Sequence, residues 1–113
     1  MKKIILACTA SLGLLFALNA AAQEKNNMNR EYMEAMNKMH QPMMDAAMIK
    51  DADVSFVKGM IAHHQGAIDM AKIELKYGKD PELKALARNI IKAQQPEIKF
   101  MQQWLKKNIQ INN

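Results

Sequence analysis

The sequence predicts an all-α protein, an antiparallel helical bundle of three long helices with the first broken near Pro42. Three observations predict it. From Met28 onward, apolar residues recur every three or four positions, the period of one helix face. Gly78-Lys79-Asp80-Pro81 supplies a helix stop, an N-cap and a proline suited to the first helical position, which together mark a tight link between antiparallel helices. No segment shows the two-residue alternation of a strand.

The chain opens on the pattern of a secretory signal peptide, residues 1–22. Lys2-Lys3 is a positive start, residues 4–18 form an apolar run, and Ala20-Ala21-Ala22 supplies small residues for cleavage after Ala22. The run is short for a membrane span. The expectation is therefore a periplasmic or secreted domain of residues 23–113, with no stable membrane span after cleavage. Cys8, the single cysteine, leaves with the leader. The mature chain then has no thiol and no disulfide, so packing, a ligand or oligomerisation must stabilise it.

Residues 23–29 are polar and expected to fray. Met33, Met36, Met39, His40, Met43 and Met44 then recur at helical spacing, and Met48 follows four residues later. This predicts a helix over 29–41 and, because Pro42 breaks the hydrogen-bond ladder, a kink or a short second helix over 42–49. Residues 50–53 connect, with Asp53 as N-cap of a helix over 54–77. At roughly 100° per residue, Phe56, Met60, His64, Ala67, Ile68, Ala71 and Leu75 share one broad face, while Asp69, Lys72 and Lys76 point away. His64 points into the middle of that face. His63 lies toward one edge, on the side of Met70, and Met60 neighbours both histidines from one turn earlier. Gly66 and Ala67 leave room for a close approach. The last helix is predicted over 81–107, with Leu83, Ala87, Ile90, Ile98, Met101 and Leu105 on its apolar face and Trp104 covering one end of the core. Gln94 lies on that face and Glu97 near its edge, and Pro96 is expected to kink the helix.

Composition excludes several functions. Lys58, Lys72, Lys76, Lys84, Lys92, Lys99, Lys106 and Lys107 are spread along the helices, whereas nucleic-acid binding needs a basic cluster with stacking aromatics. Loss of Lys2 and Lys3 takes the formal net charge from +5 to +3. The chain has no Glu-x-x-His pair of the di-iron bundle type, no HExxH, no Gly-rich phosphate loop, and no base and acid companions for Ser55. The reading is that it is not an enzyme.

The methionines carry the chemistry. There are 11 in 113 residues. A single methionine is commonly core filler, but a set this large invites another reading. A thioether is soft, neutral and cannot be protonated, so it suits Cu(I) or Ag(I) and ignores Mg or Ca. Without a thiolate trap, such donors favour transport or buffering over sequestration. His63 and His64 diverge by about 100° on a helix, so they share one ion only with help from another segment. His64 could instead hydrogen-bond Gln94 or Glu97, which would then orient it or join it in a buried polar network. Two alternatives stand beside the soft-metal reading. The Met-rich face could pack against a partner or a second copy. Or His63, His64 and a carboxylate such as Glu97 could hold Zn(II) or Cu(II), with binding lost below about pH 6.

The pattern Asp53-x-x-Phe56-x-x-x-Met60-Ile61-x-His63-His64-x-x-Ala67-Ile68-x-Met70-Ala71, followed by Ile90-x-x-x-Gln94-x-x-Glu97-Ile98-x-x-Met101-x-x-Trp104-Leu105, resembles the domain of unknown function 305 family. The resemblance runs from about Met36 to Leu105. It implies a small, exported, ferritin-like bundle, and some members of the family hold copper or silver through Met and His side chains. It implies metal binding at Met36, Met39, His40, Met43, Met44, Met60, His63, His64, Met70 and Met101. Copper as Cu(I) is the first expectation, silver the second and zinc the third. The implied partners are the metal ion, then a second copy or a periplasmic metal-handling protein.

Overall fold

A computed structural model describes the backbone of residues 5–109 and the side chains of residues 12–109; Lys2 and Lys3 of the expected leader lie outside them. The described residues form three helices and no strand: α1 Ile5–Ala47, α2 Ala52–Tyr77 and α3 Pro81–Ile109. None of them is long and apolar enough to cross a membrane. The chain divides into two compact units, Met1–Arg30 and Glu31–Asn113. The first is helical, and Leu12, Leu14, Leu15, Phe16 and Leu18 are exposed in it. Residues 23–29, expected to fray, are part of α1.

In the second unit α2 is the central element. Its buried residues are Val57, His64, Gly66, Ile68, Ala71 and Ile73. At roughly 100° per residue these fall in two directions: Val57, His64, Ile68 and Ala71 on one side, Gly66 and Ile73 on another. The first side meets α3, where Ala87 and Met101 are buried. The second meets α1 through Ala46 opposite Gly59 and Met39 opposite Gly66. Near the end of α2, Lys76 and Tyr77 both reach Glu31. Residue numbers fall along α1 as they rise along α2, so the two run antiparallel. His64 against Glu97 and Ala71 beside Ala87 give the same order for α2 and α3.

Local chemistry explains the joints. Asp51, and not Asp53, is the N-cap of α2: its Oδ1 accepts from the Val54 N–H at 2.9 Å. Asp53 is left in the first turn, where a carboxylate still favours the positive end of the helix. Ser55 Oγ donates to the Ala46 carbonyl at 2.8 Å and ties the α1–α2 connection. Gly78 stops α2 in extended backbone, its N–H bonded to the Glu74 carbonyl at 2.8 Å. Asp80 Oδ1 accepts from the N–H groups of Glu82 and Leu83 at 2.8 and 3.0 Å, and Pro81 takes the first helical position as expected.

The break expected near Pro42 does not occur: Pro42 lies inside a continuous α1. A proline in a helix interior costs about 3 kcal/mol, but α1 buries the same side before it, at Ala35, and after it, at Ala46. Packing on both flanks holds the helix through the missing hydrogen bond. Pro96 likewise lies inside a continuous α3. Two apolar positions also move. Phe56 is 63% exposed, and Val57 takes the core position beside it; Leu83 is exposed as well. Trp104 is half-buried against Val57 and Met101 at one end of the α2–α3 seam.

Candidate metal centre

The two adjacent histidines have different environments. His64 is buried, 9% exposed, and points at α3. Its Nε2 lies 2.5 Å from Glu97 Oε2, a short contact of the kind a charged partner gives. With the proton on Nε2, the imidazole donates to the carboxylate. Its Nδ1 is buried with no hydrogen-bond partner among the described residues, as is Gln94 Oε1. His63 is exposed. Its ring centroid is 6.2 Å from that of His64 and its plane turned by 64°, so the divergence read from helical spacing holds.

His63 opens onto a groove of about 580 Å³ whose walls come from all three helices: Tyr32 and Met39 from α1, Ala67, Met70 and Glu74 from α2, Leu86 and Ile90 from α3. His63, Ala67, Met70 and Glu74 follow one another at three- and four-residue steps, a single line along α2. Met39 crosses this line from α1. Its thioether packs over Gly66, one turn beyond His63 and one turn short of Met70. Two methionines and a histidine thus line one open groove, and Met39 also lines a neighbouring hollow together with Gly66. All three can be neutral, and a soft monovalent ion suits such a set. Among the described residues, no three His, Cys, Asp or Glu side chains come together in a group able to hold a metal ion.

The sequence model of the family described as Domain of unknown function (DUF305) matches residues 9–105. The chain belongs to that family. It is also similar to the uncharacterized protein L153 of Acanthamoeba polyphaga mimivirus, 47% identical over 49 residues, which are 43% of this chain and 32% of that protein. The chain thus matches about a third of the length of that relative.

In this DUF305 chain the residues singled out from the sequence fall into three groups. Met39, His63 and Met70 share the groove. His64 and Glu97 meet in the α2–α3 seam, on helices where Met60 and Gln94 are half-buried and Met101 is buried. Met36, His40 and Met44 are exposed on α1 and Met43 is half-buried, outside the groove. Met36, His40 and Met44 step by four along α1, so consecutive members are surface neighbours, and Met48 follows in the turn just past the end of the helix. Met44 is 51% and Met48 81% exposed. These side chains are therefore not core filler.

Two residues of the groove, Tyr32 and Glu74, carried no sequence signal that singled them out. Tyr32 and Glu74 enter the groove only through the register of α1 on α2. That register is held by a clasp: Lys76 Nζ donates to Glu31 Oε1, Tyr77 Oη donates to the same oxygen at 2.8 Å, and Lys76 Nζ sits 4.8 Å from the Tyr77 ring centroid. The hydrogen bond to Glu31, then that to Tyr77, holds the Lys76 ammonium above its ordinary range. The pairing joins residues 45 apart in sequence, beyond the reach of a helical wheel.

Proposed function

We propose that this DUF305 protein is an exported, non-enzymatic carrier that holds Cu(I) or Ag(I) through Met and His side chains, for metal tolerance, buffering or delivery in the periplasm. The observation that carries the reading is the convergence of Met39, His63 and Met70 on one groove. Thioethers bind a soft ion weakly enough to release it, and the mature chain would have no cysteine to trap it. The open groove suits an ion that must enter and leave. The exposed line Met36, His40, Met44 and Met48 supports the same reading as a second, weaker set of soft donors on the surface. Zn(II) is disfavoured because structural zinc sites draw four ligands from Cys, His and carboxylates.

The test is an anaerobic Cu(I) titration of the purified protein against a competing chromophoric chelator, with Zn(II) run in parallel. Defined Cu(I) uptake with weak Zn(II) binding is the expected result. No Cu(I) uptake would sink the reading. Mass determination of the exported protein checks cleavage after Ala22.

The exposure of Met33, Met36, Met44 and Met48 also favours a second reading, in which this face of α1 and the turn after it form an adaptable surface for a partner or a second copy. It requires concentration-dependent association without metal, which sedimentation would detect.

A further inference from the structure

Gly66 stands in the interior of α2, where a glycine weakens a helix relative to alanine because its backbone has more freedom to lose. Backbone conformation does not call for it: no glycine among the described residues has a positive φ. It provides room. A Cβ at this position would sit 3.3 Å from Met39 Cβ and 3.2 Å from Met39 Cγ, and would overlap Met39 Sδ outright. Gly59 differs, since a Cβ there would meet Ala46 Cβ at 3.6 Å, an ordinary contact. The overlap at Gly66 is with a sulfur, and that sulfur belongs to the one α1 methionine that shares the groove with His63 and Met70.

We propose that Gly66 is a positioning residue: a notch in α2 that seats the Met39 thioether between His63 and Met70 and so sets the number of sulfur donors the groove can offer. The proposal rests on the soft-metal reading of that groove. In Gly66→Ala the overlapping sulfur is near the free end of a flexible side chain and swings aside, while the tight approaches to Met39 Cβ and Cγ require α1 and α2 to separate slightly at this point. Helix propensity moves in the opposite direction to metal binding, because alanine is the better helix former. The gain in helix propensity offsets the cost of that small separation, so stability changes little while one donor is lost. A glycine needed only for packing would lose both together.

The test compares wild type, Gly66→Ala, Met39→Leu and the double variant, all as purified protein, in the Cu(I) competition titration. Thermal melts and methionine-methyl NMR are recorded on the metal-free proteins, with Met39→Leu assigning the Met39 methyl signal. In Gly66→Ala the melting temperature is expected to stay close to that of wild type, the Met39 methyl signal to move, and Cu(I) affinity to fall about 10- to 100-fold, the usual effect of removing a group that orients a ligand. Met39→Leu should fall by a similar factor, and the double variant no further. Wild-type Cu(I) affinity in Gly66→Ala, or losses that multiply in the double variant, would overturn the notch. So would a steep fall in melting temperature, or an unmoved Met39 methyl signal in the metal-free protein. A wild type that takes up no Cu(I) would overturn the soft-metal reading itself, and with it any metal-site role for the notch.

Discussion

Replacing Glu97 with Ala removes the one hydrogen-bond partner that the buried His64 imidazole has among the described residues. Nε2 loses an acceptor at 2.5 Å, and Nδ1 has none among the described residues. A buried polar atom left unsatisfied costs about 1–3 kcal/mol. Glu97 is 61% exposed in its side chain and His64 11%, so water reaches the Nε2 end once the carboxylate is gone and moderates the loss. About 1–2 kcal/mol is the resulting expectation, in the lower part of that range. For a domain of this size, that lowers Tm by roughly 4–16 °C. Glu97→Gln keeps an acceptor in reach and should lose less than half as much. The assay is thermal unfolding of the metal-free proteins followed by far-ultraviolet circular dichroism. A Glu97→Ala protein that melts with wild type would refute the reasoning, because the His64–Glu97 contact would then hold nothing.

Leu at Met36, Met39, Met43 and Met44 together should keep the helical fold, since volume-conserving apolar exchanges usually cost below about 1.5 kcal/mol each, yet weaken Cu(I) binding in the competition titration; full retention of binding would remove this stripe from the donor set. Asp51→Ala should destabilise by about 0.5–2 kcal/mol through loss of the N-cap, and Asp53→Ala by less, about 0.3–1 kcal/mol through the helix dipole; urea unfolding ranks the two, and the reverse order would return the cap to Asp53. Because the Lys76 pKa is raised in the folded state, its contribution is fully present below the ordinary lysine value of 10.5 and is lost as pH rises through the higher folded value. The stability difference between wild type and Lys76→Met should therefore hold flat through neutral pH and shrink on the alkaline side, as denaturant unfolding across pH would record.

What could be read from the sequence was local chemistry, and what could not was tertiary. Gly78, Asp80 and Pro81 act on their own few residues, so the α2–α3 link was legible. The choice between Asp51 and Asp53 turned on one hydrogen bond, and both residue types suit the position. Proline's rule at Pro42 concerns a single lost hydrogen bond, whereas the continuity of α1 depends on burial at Ala35 and Ala46 against another helix. A wheel for α2 with one apolar face favours Phe56 over Val57 and passes over Ile73, because a helix packed between two neighbours buries two sides; the room at Gly66 is legible, and the Met39 side chain that fills it is not. The divergence of His63 and His64 was visible because helical spacing fixes it, whereas a bond from His64 to Gln94 or Glu97 was one alternative among several, which the packing of α2 on α3 resolves to Glu97. The meeting of Met39 with His63 and Met70 was not, because it depends on the register that Glu31, Lys76 and Tyr77 set from the far end of the helix pair.

X-ray absorption at the copper edge of the Cu(I)-loaded protein tests the proposed donor set most directly. Two sulfur neighbours and one nitrogen neighbour are expected in wild type, with one sulfur lost in Met39→Leu and one in Met70→Leu. A shell of nitrogen and oxygen alone, or a sulfur count that neither substitution changes, would contradict it.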